Sequence, residues 1–227
     1  MSRFAIFFLI VAAPALALIL AYLGFATVPS NPLGWFLLLT GGVYAAGTII
    51  YALFRRERFW EGRPGEGVAQ EERGDRSFWL ITVAMMAVFF LSPLEYLFFD
   101  DLLPRSAWTK SIGVLLVLSG IVLFVWARRA LGQNYAGHVS AREGQDLVQS
   151  GPYRFLRHPA YAGYFLMALG ISLGYSSLIG LAALLLLFVP VLVYRIRVEE
   201  KVLAAHFGKA WLAYSRRVPA ILPRLKS

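Results

Sequence analysis

Two short stretches in the second half of the chain bring together side chains that could do chemistry. The first is Arg157-His158-Pro159-Ala160-Tyr161-Ala162-Gly163. Proline has a fixed φ and no N–H, so Pro159 suits the first turn of a helix. Arg157 and His158 then stand at that helix's N-terminus, where unpaired N–H groups and the helix dipole favour an anion. Gly163 permits either a close backbone approach or a ligand. The second stretch is Arg195-Ile196-Arg197-Val198-Glu199-Glu200-Lys201. Arg195 and Glu199 are one helical repeat apart and share a face. A guanidinium, two carboxylates, an imidazole and nearby tyrosines can orient a charged small molecule, and His158 or Glu200 could serve as a base. Taken singly, each feature has an ordinary structural reading. An Arg-His-Pro can anchor a helix at a membrane surface, and an Arg195–Glu199 surface pair is worth under about 1 kcal/mol. Tyr153 and Tyr161 can be interfacial aromatics, and His138 a loop histidine. The chain has no cysteine, which excludes a thiolate nucleophile, a disulfide or a Cys-ligated metal, and no ligand cluster calls for a metal.

The elements that must position these residues are membrane helices. Of 227 residues, 59% are hydrophobic and only 15% charged, and mean hydropathy is +0.63. Soluble domains sit near 45–50% apolar with about a quarter charged. This composition excludes a cytosolic globular enzyme, a disordered chain and a secreted disulfide scaffold. A crossing needs about 20 apolar residues. Residues 4–26, 34–54, 78–99 and 111–127 meet or approach this, the third broken only by Glu95 near one end, where a carboxylate could cap or snorkel. Residues 161–194 carry no charge and are too long for one crossing. The small, polar Gly174-Tyr175-Ser176-Ser177 divides them into two helices of about 14–17 residues, a tight hairpin. The pattern predicts an all-α polytopic membrane protein with about six spans. Beyond the hairpin, Val198, Val202, Leu203, Phe207, Trp211 and Leu212 recur among charged residues, which predicts an amphipathic tail helix along the membrane surface.

The charges fix the orientation. Of the 22 Lys and Arg residues, 20 fall in alternate connections: the N-terminus, residues 55–76, residues 128–157 and the tail. By the positive-inside rule these are cytoplasmic, as are both termini. The net charge of +9 is thus accounted for by topology and by attraction to anionic lipid headgroups. Nucleic-acid binding is excluded, because the arginines are spread among juxtamembrane loops and six acidic residues are mixed into residues 55–76. The first apolar run exceeds a signal-peptide core and is read as a span.

Further motifs extend the two stretches: Asp146-Leu147-Val148 before Gly151-Pro152-Tyr153, then Phe207-Gly208, Tyr214, and Arg217-Val218-Pro219 with Pro223 beyond. As an ordered ensemble over residues 133–223 they resemble the isoprenylcysteine carboxyl methyltransferases and their prokaryotic relatives, which in turn resemble phospholipid N-methyltransferases. Residues 1–132 then hold the four N-terminal spans read from hydropathy, and the resemblance implies a cofactor-binding region over residues 133–227. It also implies methyl transfer from S-adenosylmethionine in a site closed by the last helices and the C-terminal segment. By position, the cofactor contacts would be His138, Gln145, Asp146, Leu147, Val148, Tyr153, His158, Pro159, Ala160, Tyr161 and Glu199. Arg195 would hold the substrate carboxylate. The chain departs from the family in having Gln145 where a histidine is usual and His138 where a glutamine is common. The implied acceptor is an isoprenylcysteine or a similar amphipathic acid drawn from the membrane lipids. A phospholipid amine and a small thiol are the alternatives, and a non-catalytic or reductase-like relative is the reading from another class.

Overall fold

The structure, a computed structural model, describes residues 13–54, 68–69, 77–99, 103–132, 141–142 and 147–221. Helix α1 (Ala13–Thr27) turns directly into α2 (Leu33–Phe54); α3 (Ser77–Phe98) and α4 (Ala107–Leu131) follow. A 3-10 turn, Gly151–Arg154, precedes α5 (Pro159–Gly174). Then α6 (Leu178–Ala183) passes through a π turn, Leu184–Phe188, into α7 (Val189–Phe207), and α8 (Lys209–Arg217) closes the chain. Two-residue strands β1 (Val68–Ala69) and β2 (Ala141–Arg142) pair antiparallel, linking the two long connections to each other. The architecture is otherwise helical, as the hydropathy pattern requires.

Three described helices are long and apolar enough to cross a membrane: Leu80–Phe98, Ala107–Leu131 and Leu178–Phe207, with shorter apolar helices at Pro14–Thr27, Leu33–Ala46 and Pro159–Gly174. In α4 the two faces divide sharply. Trp108, Ile112, Leu115, Leu118, Val122 and Val125 are exposed, while Gly113, Val117, Gly120 and Ala127 are buried. An exposed apolar stripe of this length has lipid as its solvent. The helix is longer than its 111–127 apolar core because a capping box starts it early. Ser106 Oγ accepts from Thr109 N at 3.1 Å, and Thr109 Oγ1 accepts from Ser106 N at 3.3 Å.

The buried glycine face of α4 lies against α5. A Cβ added to Gly120 would come within 2.6 Å of Gly163 O, and one on Gly163 within 2.7 Å of Gly120 O; Gly113 and Gly170 repeat the arrangement one heptad along. In lipid, where apolar surface gives helices no reason to associate, such backbone-to-backbone approach is what holds a pair together. Gly163 therefore packs against α4, which settles one of the two roles open to it. Gly163→Val is expected to destabilise the fold by about 2–3 kcal/mol or more. Thermal denaturation in detergent checks this, and an unchanged midpoint would contradict the contact.

At the far end of α5, the small, polar break forms the hairpin turn where it was expected. Glu95 caps α6: its carboxylate accepts from the Ser177 hydroxyl and from the N–H groups of Leu178 (3.1 Å) and Ile179 (2.8 Å). Asn31 Nδ2 donates to Gly174 O at 2.7 Å, and the hydroxyls of Thr27 and Tyr175 bond at 2.8 Å. The turn is thereby tied to α3 and to the α1–α2 corner. This anchors one end of α5 and fixes how the other end is presented.

The tail differs from the expected single surface helix. The chain stays helical from Leu178 through Arg195 and Glu199 to Phe207, so the second arm of the hairpin is about twice its expected length. It stops at Gly208, whose φ of +51° favours glycine. Beyond it, Trp211, Tyr214 and Val218 form a small cluster with Leu147, Leu203 and Phe207, which folds α8 back onto α7.

Candidate active site

At its N-terminal end α5 meets the middle of α7, and the two stretches singled out in the sequence are in contact. Tyr161, in the first turn of α5, places its hydroxyl between Arg195 and Glu199. It accepts from Arg195 Nε at 2.9 Å and donates to Glu199 Oε2 at 2.7 Å. Arg195 Nη1 donates to Ser77 Oγ at the start of α3, at 2.6 Å. Arg195 is only 4% exposed, and a buried guanidinium requires such acceptors. The chain Ser77–Arg195–Tyr161–Glu199 thus ties three helices to one hydrogen-bonded line.

A second line runs beside it. Glu200 Oε1 accepts from Arg157 Nε (2.9 Å), Arg157 Nη2 (2.6 Å) and His158 Nε2 (3.1 Å). The third arginine nitrogen, Nη1, donates to the carbonyls of Ser215 (2.9 Å) and Val218. The backbone N–H groups of Arg157 and His158 bond to Pro219 O (2.8 Å) and Ala220 O (2.9 Å). These groups were expected to face an anion; they clamp the C-terminal segment instead. In α5 itself, the first i to i−4 bond runs from Ala162 N to His158 O and Pro159 has no N–H. The Ala160 and Tyr161 N–H groups are therefore the first-turn donors without a helical acceptor.

Arg157→Ala removes a charged, largely buried latch (side chain 12% exposed), and the loss is expected to cost about 1.5–3 kcal/mol. Limited proteolysis reads it out. Cleavage within residues 209–221 should accelerate relative to the helical core, and an unchanged rate would show that the latch is redundant.

The remaining residues frame this junction. The His158 ring stacks on Tyr161, with centroids 5.7 Å apart and 23° between planes. Tyr153 is buried, and its carbonyl accepts from the Tyr214 hydroxyl at 2.8 Å. Burial pushes the Tyr214 phenol up to about 12, against the lowering influence of Arg157, so it remains a donor at physiological pH. Leu147 packs on the tail cluster; Val148 is half-buried, as is Ala160, and Pro159 is fully buried. His138, Gln145 and Asp146 lie outside the described residues. Of the residues expected at a site, the structure brings Arg195, Tyr161, Glu199 and His158 together and connects Tyr153 to them through the clamped tail. Sequence reasoning did not find Ser77, which carries no periodic or motif signal, and it misjudged what Arg157 touches.

Comparison with known proteins adds an independent line. Residues 108–210 match the family model described as phospholipid methyltransferase. The protein-S-isoprenylcysteine O-methyltransferase of Xenopus laevis is 32% identical over 148 residues, covering 64% of this chain and 51% of that protein. The human protein of the same name is 32% identical over 151 residues, with the same two coverages. The chain is thus similar, over less than half of its length, to this membrane methyltransferase family model. It spans about half the length of the curated relatives it matches. Its fold is likewise that of a solved eukaryotic intramembrane Ras methyltransferase, isoprenylcysteine carboxyl methyltransferase. That match has a TM-score of 0.57 at 19% identity and covers 93% of this chain and 74% of that one. Tyr161, Arg195 and Glu199, with the Arg157, His158 and Glu200 side chains of the clamp, fall inside the residues matched by the family model, whereas Ser77 falls outside them.

Proposed function

We propose that this membrane protein transfers a methyl group from S-adenosylmethionine to the carboxylate of an isoprenylcysteine or a similar amphipathic acid. The observation that carries this reading is the line Arg195–Tyr161–Glu199, which holds a buried cation and a carboxylate at fixed separation on one face of α7. The donor set fits the cofactor. Its ammonium group would pair with Glu199, since a carboxylate accepts up to about four hydrogen bonds and Tyr161 takes one. Its carboxylate suits the Ala160 and Tyr161 N–H groups at the start of α5, and its sulfonium and adenine suit the faces of Tyr153 or Tyr161. Leu147, Val148, His158 and Pro159 would wall the same space, with His138, Gln145 and Asp146 contributing from the preceding connection. When bound, S-adenosylmethionine supplies an already activated methyl electrophile. The protein's work is then alignment and exclusion of water.

Arg195 would orient the acceptor carboxylate, for which a planar, permanently charged guanidinium is well suited. A carboxylate is ionised at neutral pH and needs no base. An amine acceptor would need one, and the two residues able to serve, His158 and Glu200, are bonded to each other, with Glu200 also accepting from Arg157. That engagement favours the acid over the amine. We further propose six crossings with both termini cytoplasmic, so that the donor enters from the cytosol while a lipidic acceptor arrives laterally from the bilayer.

Incubating the purified protein with methyl-tritiated S-adenosylmethionine and prenylcysteine, phospholipid amine or thiol acceptors tests the reading. A methyl ester releases labelled methanol in base, whereas N- and S-methyl products do not. Base-labile label on the prenylcysteine is expected; base-stable label on an amine or thiol would reassign the acceptor, and no transfer to any would reject the activity.

A further inference from the structure

We infer that Ser77 is a positioning residue for Arg195, through which the first half of the chain sets the geometry of acceptor binding. The inference rests on the reading of Arg195 as the group that holds the acceptor carboxylate. Ser77 is the first residue of α3 and fully buried, and its oxygen lies 2.6 Å from Arg195 Nη1 across 118 residues of chain. Arginine carries about 2 kcal/mol of rotamer entropy, so a guanidinium that must meet a carboxylate edge-on benefits from being fixed beforehand. Two bonds from different nitrogens, Nε to Tyr161 on α5 and Nη1 to Ser77 on α3, define its plane.

The choice of a serine matters chemically. A neutral hydroxyl oxygen orients the cation without cancelling its charge, whereas an aspartate in the same place would compete with an incoming acid. The location matters too. Tyr161 lies within the residues matched by the family model, while Ser77 lies before them. A contact from α3 therefore lets helices outside the shared region adjust where the acceptor's charged end sits.

The test uses the full chain in lipid nanodiscs, with Ser77→Ala and the hydroxyl-retaining Ser77→Thr. S-adenosylhomocysteine and N-acetyl-S-farnesylcysteine serve as binding probes, and turnover is measured in parallel. For Ser77→Ala, kcat/KM for the acceptor should fall about ten- to a hundredfold. Farnesylcysteine binding should weaken by about fivefold or more while S-adenosylhomocysteine affinity stays within about twofold. Ser77→Thr should recover most of the loss. Farnesylcysteine binding by Ser77→Ala equal to wild type would overturn the inference while leaving the methyltransferase reading intact. So would parallel loss of both ligands in Ser77→Ala, which would mark Ser77 as merely structural. If Ser77→Thr loses both ligands through overpacking, the Ser77→Ala comparison alone decides. A wild type that binds farnesylcysteine without methylating it would reject the reaction, and the binding comparison would still decide the role of Ser77. A wild type that binds neither probe would overturn both.

Discussion

Replacing Arg195 with alanine should lower methyl transfer to a carboxylate acceptor by about 10²-fold or more while S-adenosylmethionine still binds. The expectation follows from geometry. Loss of the guanidinium removes the only group on this face of α7 assigned to grip the acceptor, and misplacement by about 1 Å is enough to cost that much in an alignment-driven reaction. The donor side should survive, because the Tyr161 hydroxyl still donates to Glu199 when Arg195 is gone. Arg195→Lys keeps the charge but not the planar fork, and should recover only part of the rate. Steady-state kinetics with donor and acceptor varied separately make the check. Turnover equal to wild type in Arg195→Ala would exclude the carboxylate-holding role.

Glu199→Gln should have the complementary effect. The substitution preserves size and an acceptor oxygen for Tyr161 but removes the negative charge that would pair with the cofactor's ammonium group. Losing a charge-assisted hydrogen bond costs about 1.5–3 kcal/mol, which corresponds to roughly 10- to 150-fold weaker donor binding. Acceptor affinity should change little. Equilibrium binding of S-adenosylhomocysteine measures it directly, and a wild-type dissociation constant would reduce Glu199 to a structural partner of Tyr161. With these outcomes the two substitutions would divide the proposed site into a donor half and an acceptor half joined by one tyrosine hydroxyl.

Much of this was legible in the chain because it is written locally. The uncharged stretch of residues 161–194 with a small, polar middle could only be a hairpin in a bilayer, and the Pro159 start and the Arg195–Glu199 spacing gave the two faces that meet. What was hidden depends on long-range pairing. The apolar recurrence from Val198 to Leu212 runs across Gly208 without a change of period, so periodicity alone joins two helices that the glycine separates. Glu95 could be seen as anomalous, yet its target at the start of α6 lies 82 residues on. Arg157 was placed correctly at a helix start, but the carbonyls that occupy its donors come from Ser215 and Val218, which no local pattern ties to it. Ser77 ends a charged connection like any other serine, and its bond to Arg195 arises from the packing of α3 against α7.

The claim on which the rest depends is that the start of α5 and the acidic turn of α7 jointly hold the methyl donor. Ultraviolet cross-linking of methyl-labelled S-adenosylmethionine to the purified protein, followed by peptide mapping, tests it most directly. Label is expected in peptides spanning residues 147–161 or 195–200, and an excess of S-adenosylhomocysteine should abolish it. Competable label confined to α1 and α2, with none in those peptides, would contradict the account.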